Sequence, residues 1–173
     1  MAVWKARAFA LATLWAFPTC FLSAPQDSSV DSRAEVIFFL STDCPVAQRQ
    51  APRMAALVSE FKKRKISFRA YFPNALETSA KITSYLKERK LDVPFVIDRK
   101  AVQAKRFEVE VVPTVILVDK QGKILYFGAF DDAKASNQVR KSYLRIALED
   151  HLAGRSIRAK FGKPFGCFLM PER

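Results

Sequence analysis

The run over residues 36–52, Val-Ile-Phe-Phe-Leu-Ser-Thr-Asp-Cys-Pro-Val-Ala-Gln-Arg-Gln-Ala-Pro, most constrains what this chain can fold into. Its five leading apolar residues, two of them β-branched, predict a short strand buried on both faces, and Ser41-Thr42-Asp43 is the turn that leaves it. Pro45 suits the first position of a helix: the N–H it lacks would have had no intrahelical partner, and its ring holds φ at a helical value. The Cys44 sulfur then lies beside a helix N-terminus, where unpaired N–H groups and the helix dipole favour a thiolate over a thiol.

Downstream, Met54, Leu57, Val58 and Phe61 fall at the spacing of one helix face, so a helix is expected from about residue 45 to about 64. Pro52 inside it removes a hydrogen bond and predicts a kink. Residues 66–72 read as a second strand, ended by Pro73-Asn74. A helix over 76–89 presents Ile82, Tyr85 and Leu86, a short strand covers 93–98, and another helix covers 101–107. Strands separated by helices of this length call for an α/β layered architecture with parallel pairing in the first half.

The second half changes style. Residues 114–118 form a buried strand, Asp119-Lys120-Gln121-Gly122 is a turn signal, and 123–127 return as the antiparallel partner. After a polar stretch over 131–137, Val139, Tyr143, Ile146 and Ala147 mark a last helix ending near Leu152, with Gly154 placed to stop it. From Arg155 onward Gly162, Pro164 and Gly166 interrupt any periodicity, so this tail is expected to lie over the surface.

At 173 residues, half of them apolar, the chain has room for one domain with a sizeable core. The net charge of +12 is scattered over helix faces and ends, with one dense run over 62–65 that complements a helix dipole. No basic stripe interleaved with aromatics is present, so nucleic acid is not an expected partner. Lys5 and Arg7 precede an apolar run over 8–22 and the small pair Ser23-Ala24, the pattern of a secretory signal peptide cut near Ala24. Retention as a membrane anchor is the alternative, although the run is shorter than the ~20 residues of a spanning helix; acylation at Cys20 is a further one. The expected organisation is a signal segment over 1–24, a flexible lead-in over 25–34, a domain over 35–153, and a tail over 154–173. Cleavage would leave Cys44 and Cys167, and two cysteines in an exported chain invite a disulfide.

In this order the residues resemble the thioredoxin-like fold, and within it an exported bacterial redoxin type akin to thiol–disulfide oxidoreductases and peroxiredoxins. Cys44 lies at the strand-to-helix turn that holds the family's nucleophile, Pro52 lies where thioredoxins kink their first helix, and Val112-Pro113-Thr114 opens the hairpin as the cis-proline segment does. The resemblance covers roughly residues 34–152. Phe127-Gly128-Ala129-Phe130-Asp131-Asp132, Tyr143-Leu144, Leu152-Ala153-Gly154 and Gly166-Cys167 are similar to a bacterial redoxin subgroup. It implies an α/β fold, a three-layer α/β/α sandwich with a mixed central sheet and a helix and strand inserted before the cis-Pro hairpin. It also implies a periplasmic or extracellular location, or a membrane-anchored form facing the periplasm. The implied partners are protein or small-molecule thiols and disulfides, engaged by Cys44 beside Pro45, Val112, Pro113 and Thr114, with no cofactor and no metal.

The sequence departs from the family in three places. Thioredoxins carry a second cysteine where this chain has Ala47, and an aromatic residue where it has Asp43. The Asp43 charge opposes a thiolate unless it is turned to solvent or neutralised, and the residue is also a candidate helix cap. Peroxiredoxins place threonine three residues before their cysteine, a position held here by Ser41.

A mixed disulfide on Cys44 needs a second thiol to release it, and Cys167 is the cysteine left to do so. A bridge between them would close a loop of over a hundred residues, worth roughly 4–5 kcal/mol if unstrained, and requires Cα atoms within about 7 Å. A purely structural disulfide and a free tail thiol are the alternatives for Cys167. Three functions therefore stand: thiol–disulfide exchange, peroxide reduction through a Cys44 sulfenic acid that condenses with Cys167, and a non-catalytic binding module. His151 is expected at or near the surface, and Cys44, Cys167 and His151 lack the local spacing of a metal site.

Overall fold

Strand β1 (Ala34–Phe39) takes the middle of the sheet because both of its faces are apolar. Phe38 stacks on Phe68 on one face, and Phe39 stacks on Tyr71 on the other. The computed structural model describes residues 34–133 and 138–172. The signal segment expected over 1–24, and the lead-in but for Ala34, lie outside the described residues.

The central sheet runs β3-β2-β1-β5-β6-β7. On one side of β1, β2 (Ile66–Phe72) and then β3 (Phe95–Ile97) join in parallel. On the other, β5 (Thr114–Asp119) and β6 (Ile124–Gly128) form the antiparallel hairpin, and β7 (Phe161–Gly162) adds parallel to β6. A separate antiparallel pair joins β4 (Val111–Val112) to β8 (Cys167–Phe168). The mixed sheet has parallel pairs in its first half and antiparallel pairs in its second, the layered α/β architecture that the element order calls for.

Right-handed crossovers between the parallel strands set the face that the first two helices cover. The steps β1 to β2 and β2 to β3 run in the same direction, so α1 (Pro45–Lys62) and α2 (Ser79–Glu88) share a face. Tyr85 of α2 packs edge-on against Phe72 of β2, and its hydroxyl donates to the Ala47 carbonyl of α1 at 3.2 Å. The return from β3 to β5 runs the opposite way. It carries α3 (Val102–Arg106) to the other face, where the capping Phe107 meets Phe39. Helix α4 (Tyr143–Leu152) closes against α1: Arg145 grips Glu60 through two hydrogen bonds and lies over the Phe61 ring.

Local chemistry moves several boundaries away from the sequence expectation. Helix α2 starts at Ser79 rather than near residue 76, because the Thr78 hydroxyl accepts from the Lys81 N–H and caps it; Leu76 is left 74% exposed. Strand β3 spans three residues, not six. Helix α4 begins at Tyr143, and its buried face is Leu144, Ala147 and Leu148, whereas Tyr143 and Ile146 are half-buried and Val139 lies before the helix.

The tail is also more ordered in its path than its irregular composition suggests. Asp150 at the end of α4 is inaccessible to solvent and accepts from the Arg155 and Arg158 guanidinium groups and the Arg158 N–H. This clamp turns the chain back toward the sheet, where β7 reaches β6. Glycines allow that approach: a Cβ on Gly128 would sit 1.9 Å from the Gly162 carbonyl oxygen. Asp131, just after β6, ties that segment to α1, its buried carboxylate accepting from Gln50 and Arg53. Among the described residues, no helix is long and apolar enough to cross a membrane.

Candidate active site

Cys44 is the N-cap residue of α1, in extended conformation, with Pro45 exposed at the first helical position. Its carbonyl accepts from the Gln48 N–H at 2.9 Å, and its own N–H reaches the Ser41 carbonyl at 3.3 Å. The side chain is only 1% exposed and its thiol donates to the Val112 carbonyl at 3.4 Å. The Val112–Pro113 peptide bond is cis. Thr114, buried beside it, donates its hydroxyl to the Val111 carbonyl at 2.7 Å, so residues 111–114 form a tied corner facing the cysteine.

The tail completes the site. Strand β8 pairs antiparallel with β4, with Cys167 opposite Val112 and Phe168 opposite Val111. Cys167 Sγ lies 2.7 Å from Cys44 Sγ, and both cysteines are free thiols. Beyond β8 the backbone is latched residue by residue: the Leu169 N–H donates to the Glu110 carbonyl, and the Met170 N–H to Asn74 Oδ1. The Met170 carbonyl then accepts from the Ala75 N–H, and the Glu172 N–H donates to the Arg99 carbonyl. Burial and the contact with Cys44 push the Cys167 thiol up to about 11, burial being the larger cause.

The turn before Cys44 is held from an unexpected side. Glu77, in the loop ahead of α2, is 1% exposed and accepts from both the Thr42 N–H and the Thr42 hydroxyl at 2.9 Å. The Arg99 guanidinium in turn donates to the Glu77 carbonyl, which ties this loop to the latch of the tail. The sequence expectation of a helix over 76–89 places Glu77 inside it, whereas the helix starts at Ser79 and leaves Glu77 in the loop.

Asp43 does not cap α1. Its side chain is exposed and reaches Lys81 at 3.4 Å, so its charge points away from the buried thiol and is met by a cation. Ala47, where the second thioredoxin cysteine would stand, is fully buried beneath Tyr85. His151 is half-buried near the end of α4, and its Nε2 has no hydrogen-bond partner. Among the described residues, no group of three or more His, Cys, Asp or Glu side chains could hold a metal ion. The arrangement brings together two thiols, a helix start and a backbone carbonyl. Two thiols in contact can yield two electrons and two protons and close a disulfide.

A model of the AhpC/TSA family matches residues 26–127. Thiol-disulfide oxidoreductase ResA of Halalkalibacterium halodurans is 26% identical over 96 residues, which cover 56% of this chain and 53% of that protein. The chain spans about half the length of the curated relatives it matches. Among solved structures, a hypothetical protein from Sinorhizobium meliloti 1021 superposes with a TM-score of 0.75 at 23% identity, covering 82% of this chain and 81% of that one. A thioredoxin-like protein determined in solution in its oxidised form gives a TM-score of 0.59 at 20% identity, over 71% and 80% of the two chains. At these identities the structures speak for the fold, and that fold is thioredoxin-like.

Proposed function

This chain belongs to the AhpC/TSA family, and from that premise we propose that it carries out thiol–disulfide exchange, with Cys44 as nucleophile and Cys167 as resolving thiol. The observation that carries the reading is the 2.7 Å contact between the two sulfurs. The Cys44 thiolate attacks one sulfur of a substrate disulfide, whose other sulfur leaves as a thiolate. Cys167, deprotonated in the step, then attacks Cys44 Sγ, releases the rest of the substrate as a thiolate and leaves a Cys44–Cys167 bridge. The start of α1 favours negative charge on Cys44. Val112, Pro113 and Thr114 align the partner segment, and exposed Pro45 borders it.

The substrates in this reading are protein or small-molecule disulfides, in line with the thiol-disulfide oxidoreductase relative. Export to the periplasm or beyond is part of the reading and rests on the apolar run over 8–22 and the cleavage pattern after it. The division into a domain over 35–153 and a functional tail is also part of the reading, and the end of α4 at Leu152 and the pairing of β8 with β4 support it.

Mass analysis of the protein before and after mild oxidation tests the pair. Oxidation is expected to remove two hydrogens per chain, and Cys167→Ser is expected to accumulate mixed disulfides on Cys44. Rapid consumption of peroxide by the reduced protein, with Cys44 passing through a sulfenic acid, would favour peroxide reduction instead. An unchanged phenotype and unchanged thiol reactivity after Cys44→Ser would return the non-catalytic binding-module reading.

A further inference from the structure

We propose that the two half-reactions use different sulfurs: substrate reacts at Cys44, but the thiol reductant that reopens the bridge enters at Cys167. The inference rests on the Cys44–Cys167 bridge of the proposed function. It starts from access. A thiolate displaces a sulfur in line, from the side opposite the leaving sulfur, and the rate depends on whether that side can be reached. Attack on Cys44 must come from behind a side chain that is 1% exposed and faces the Val112 carbonyl. Attack on Cys167 comes from the outer side of β8, where Cys167 is part-exposed and its neighbour Phe168 is 76% exposed.

The strap does not yield readily. Residues 167–172 are held by the pairing with β4 and by backbone contacts to Glu110, Asn74, Ala75 and Arg99. Gly166 sets how closely β8 lies on the site, because a Cβ there would sit 1.9 Å from the Val112 carbonyl oxygen. A reductant therefore finds Cys167 with the strap in place, whereas a substrate reaches Cys44 only when β8 lifts from β4.

The chemistry agrees with the access. The reductant thiolate forms a bond to Cys167 Sγ, the Cys44–Cys167 bond breaks, and the electron pair leaves on Cys44 at the start of α1, where negative charge is favoured. A second thiolate of the reductant then attacks the reductant sulfur in the mixed disulfide. Cys167 leaves, takes up a proton, and two electrons have passed from the reductant to the pair. Attack on Cys44 would instead expel Cys167, whose thiol is pushed up to about 11 and makes the poorer leaving group.

Glutathione serves as the probe thiol. The oxidised protein is mixed with it, quenched in acid within the first turnover, alkylated with N-ethylmaleimide and mapped by peptide mass. Glutathione is expected on Cys167 with maleimide on Cys44, in about tenfold excess over the reverse pattern. Glutathione chiefly on Cys44 overturns the inference while leaving exchange through the pair intact. Absence of any bridge after oxidation overturns both. In the reduced protein, Gly166→Ala is expected to raise the iodoacetamide alkylation rate of Cys44 about tenfold by moving β8 away; an unchanged rate overturns the strap as the cover.

Discussion

Gly166 lies so close to Val112 that a Cβ on it would come within 1.9 Å of the Val112 carbonyl oxygen. The same oxygen accepts the Cys44 thiol, and the residue after Gly166 is Cys167. One backbone carbonyl therefore gauges the distance between the two sulfurs. Gly166→Ala should close the Cys44–Cys167 bridge about 10- to 100-fold more slowly on oxidation with diamide, since a displacement near 1 Å costs that much in a reaction between held groups. Loss of free thiol with time measures it, and a rate equal to the parent's would remove this role from Gly166.

Glu77 supplies both acceptors for the buried Thr42 N–H and hydroxyl. Glu77→Ala strands two buried donors, and stability should fall by about 1–3 kcal/mol in urea unfolding. Glu77→Gln keeps one acceptor oxygen and should lose less. Because Thr42 belongs to the turn that places Cys44, bridge formation should slow in the same order. Equal stability of the alanine variant and the parent would contradict this account.

Asp150 predicts a response to acid. The Arg158 and Arg155 contacts hold its carboxyl well below the usual carboxylate range. In the unfolded chain it takes up a proton near its ordinary value of about 3.9, so the stability it contributes is present above that pH and is lost as pH falls below it. Asp150→Asn should be less stable than the parent at neutral pH, with the gap narrowing toward pH 3. Thermal midpoints measured across that range check it, and a constant gap would count against the clamp.

Cys167 predicts a response to base. Its thiol is pushed up to about 11, first by burial and then by the Cys44 contact. Alkylation of Cys167 in the reduced protein should therefore rise with pH toward a midpoint near that value, well above the ordinary thiol at about 8.5. Since the folded value is the higher one, the associated stability is complete below the ordinary thiol value and is lost as pH climbs through the folded one. Cys44→Ala removes the smaller cause, so the midpoint should drop without becoming ordinary. A midpoint already ordinary in the parent would refute the burial argument.

Legibility in the sequence followed the range of the interactions. The apolar run ending at Leu40, Pro45 at the helix start and the Met54, Leu57, Val58 and Phe61 stripe are local patterns, and each has its counterpart in β1 and the buried face of α1. Glu77 could not be read the same way, because its partner Thr42 lies 35 positions away and no spacing links them. The buried stripe of α4 keeps the expected Ala147 but takes Leu144 and Leu148 in place of Tyr143 and Ile146, since the helix starts later than its apolar spacing suggests. Strands of two residues, such as β7 and β8, carry no periodicity at all.

The sequence by itself determined the kind of chemistry within reach: a cysteine between a doubly buried strand and a proline-led helix, a distant Val112-Pro113-Thr114, and no second cysteine at position 47. Those features act through hydrogen bonds and dipoles that span a few residues, so they can be read in order along the chain. The tertiary structure alone decided where Cys167 goes. Its position depends on a salt clamp at Asp150, on Gly128 meeting Gly162, on Gly166 meeting Val112, and on a latch reaching Asn74 and Arg99. Each of these contacts joins elements from different parts of the fold, and together they bring two sulfurs 123 positions apart to 2.7 Å.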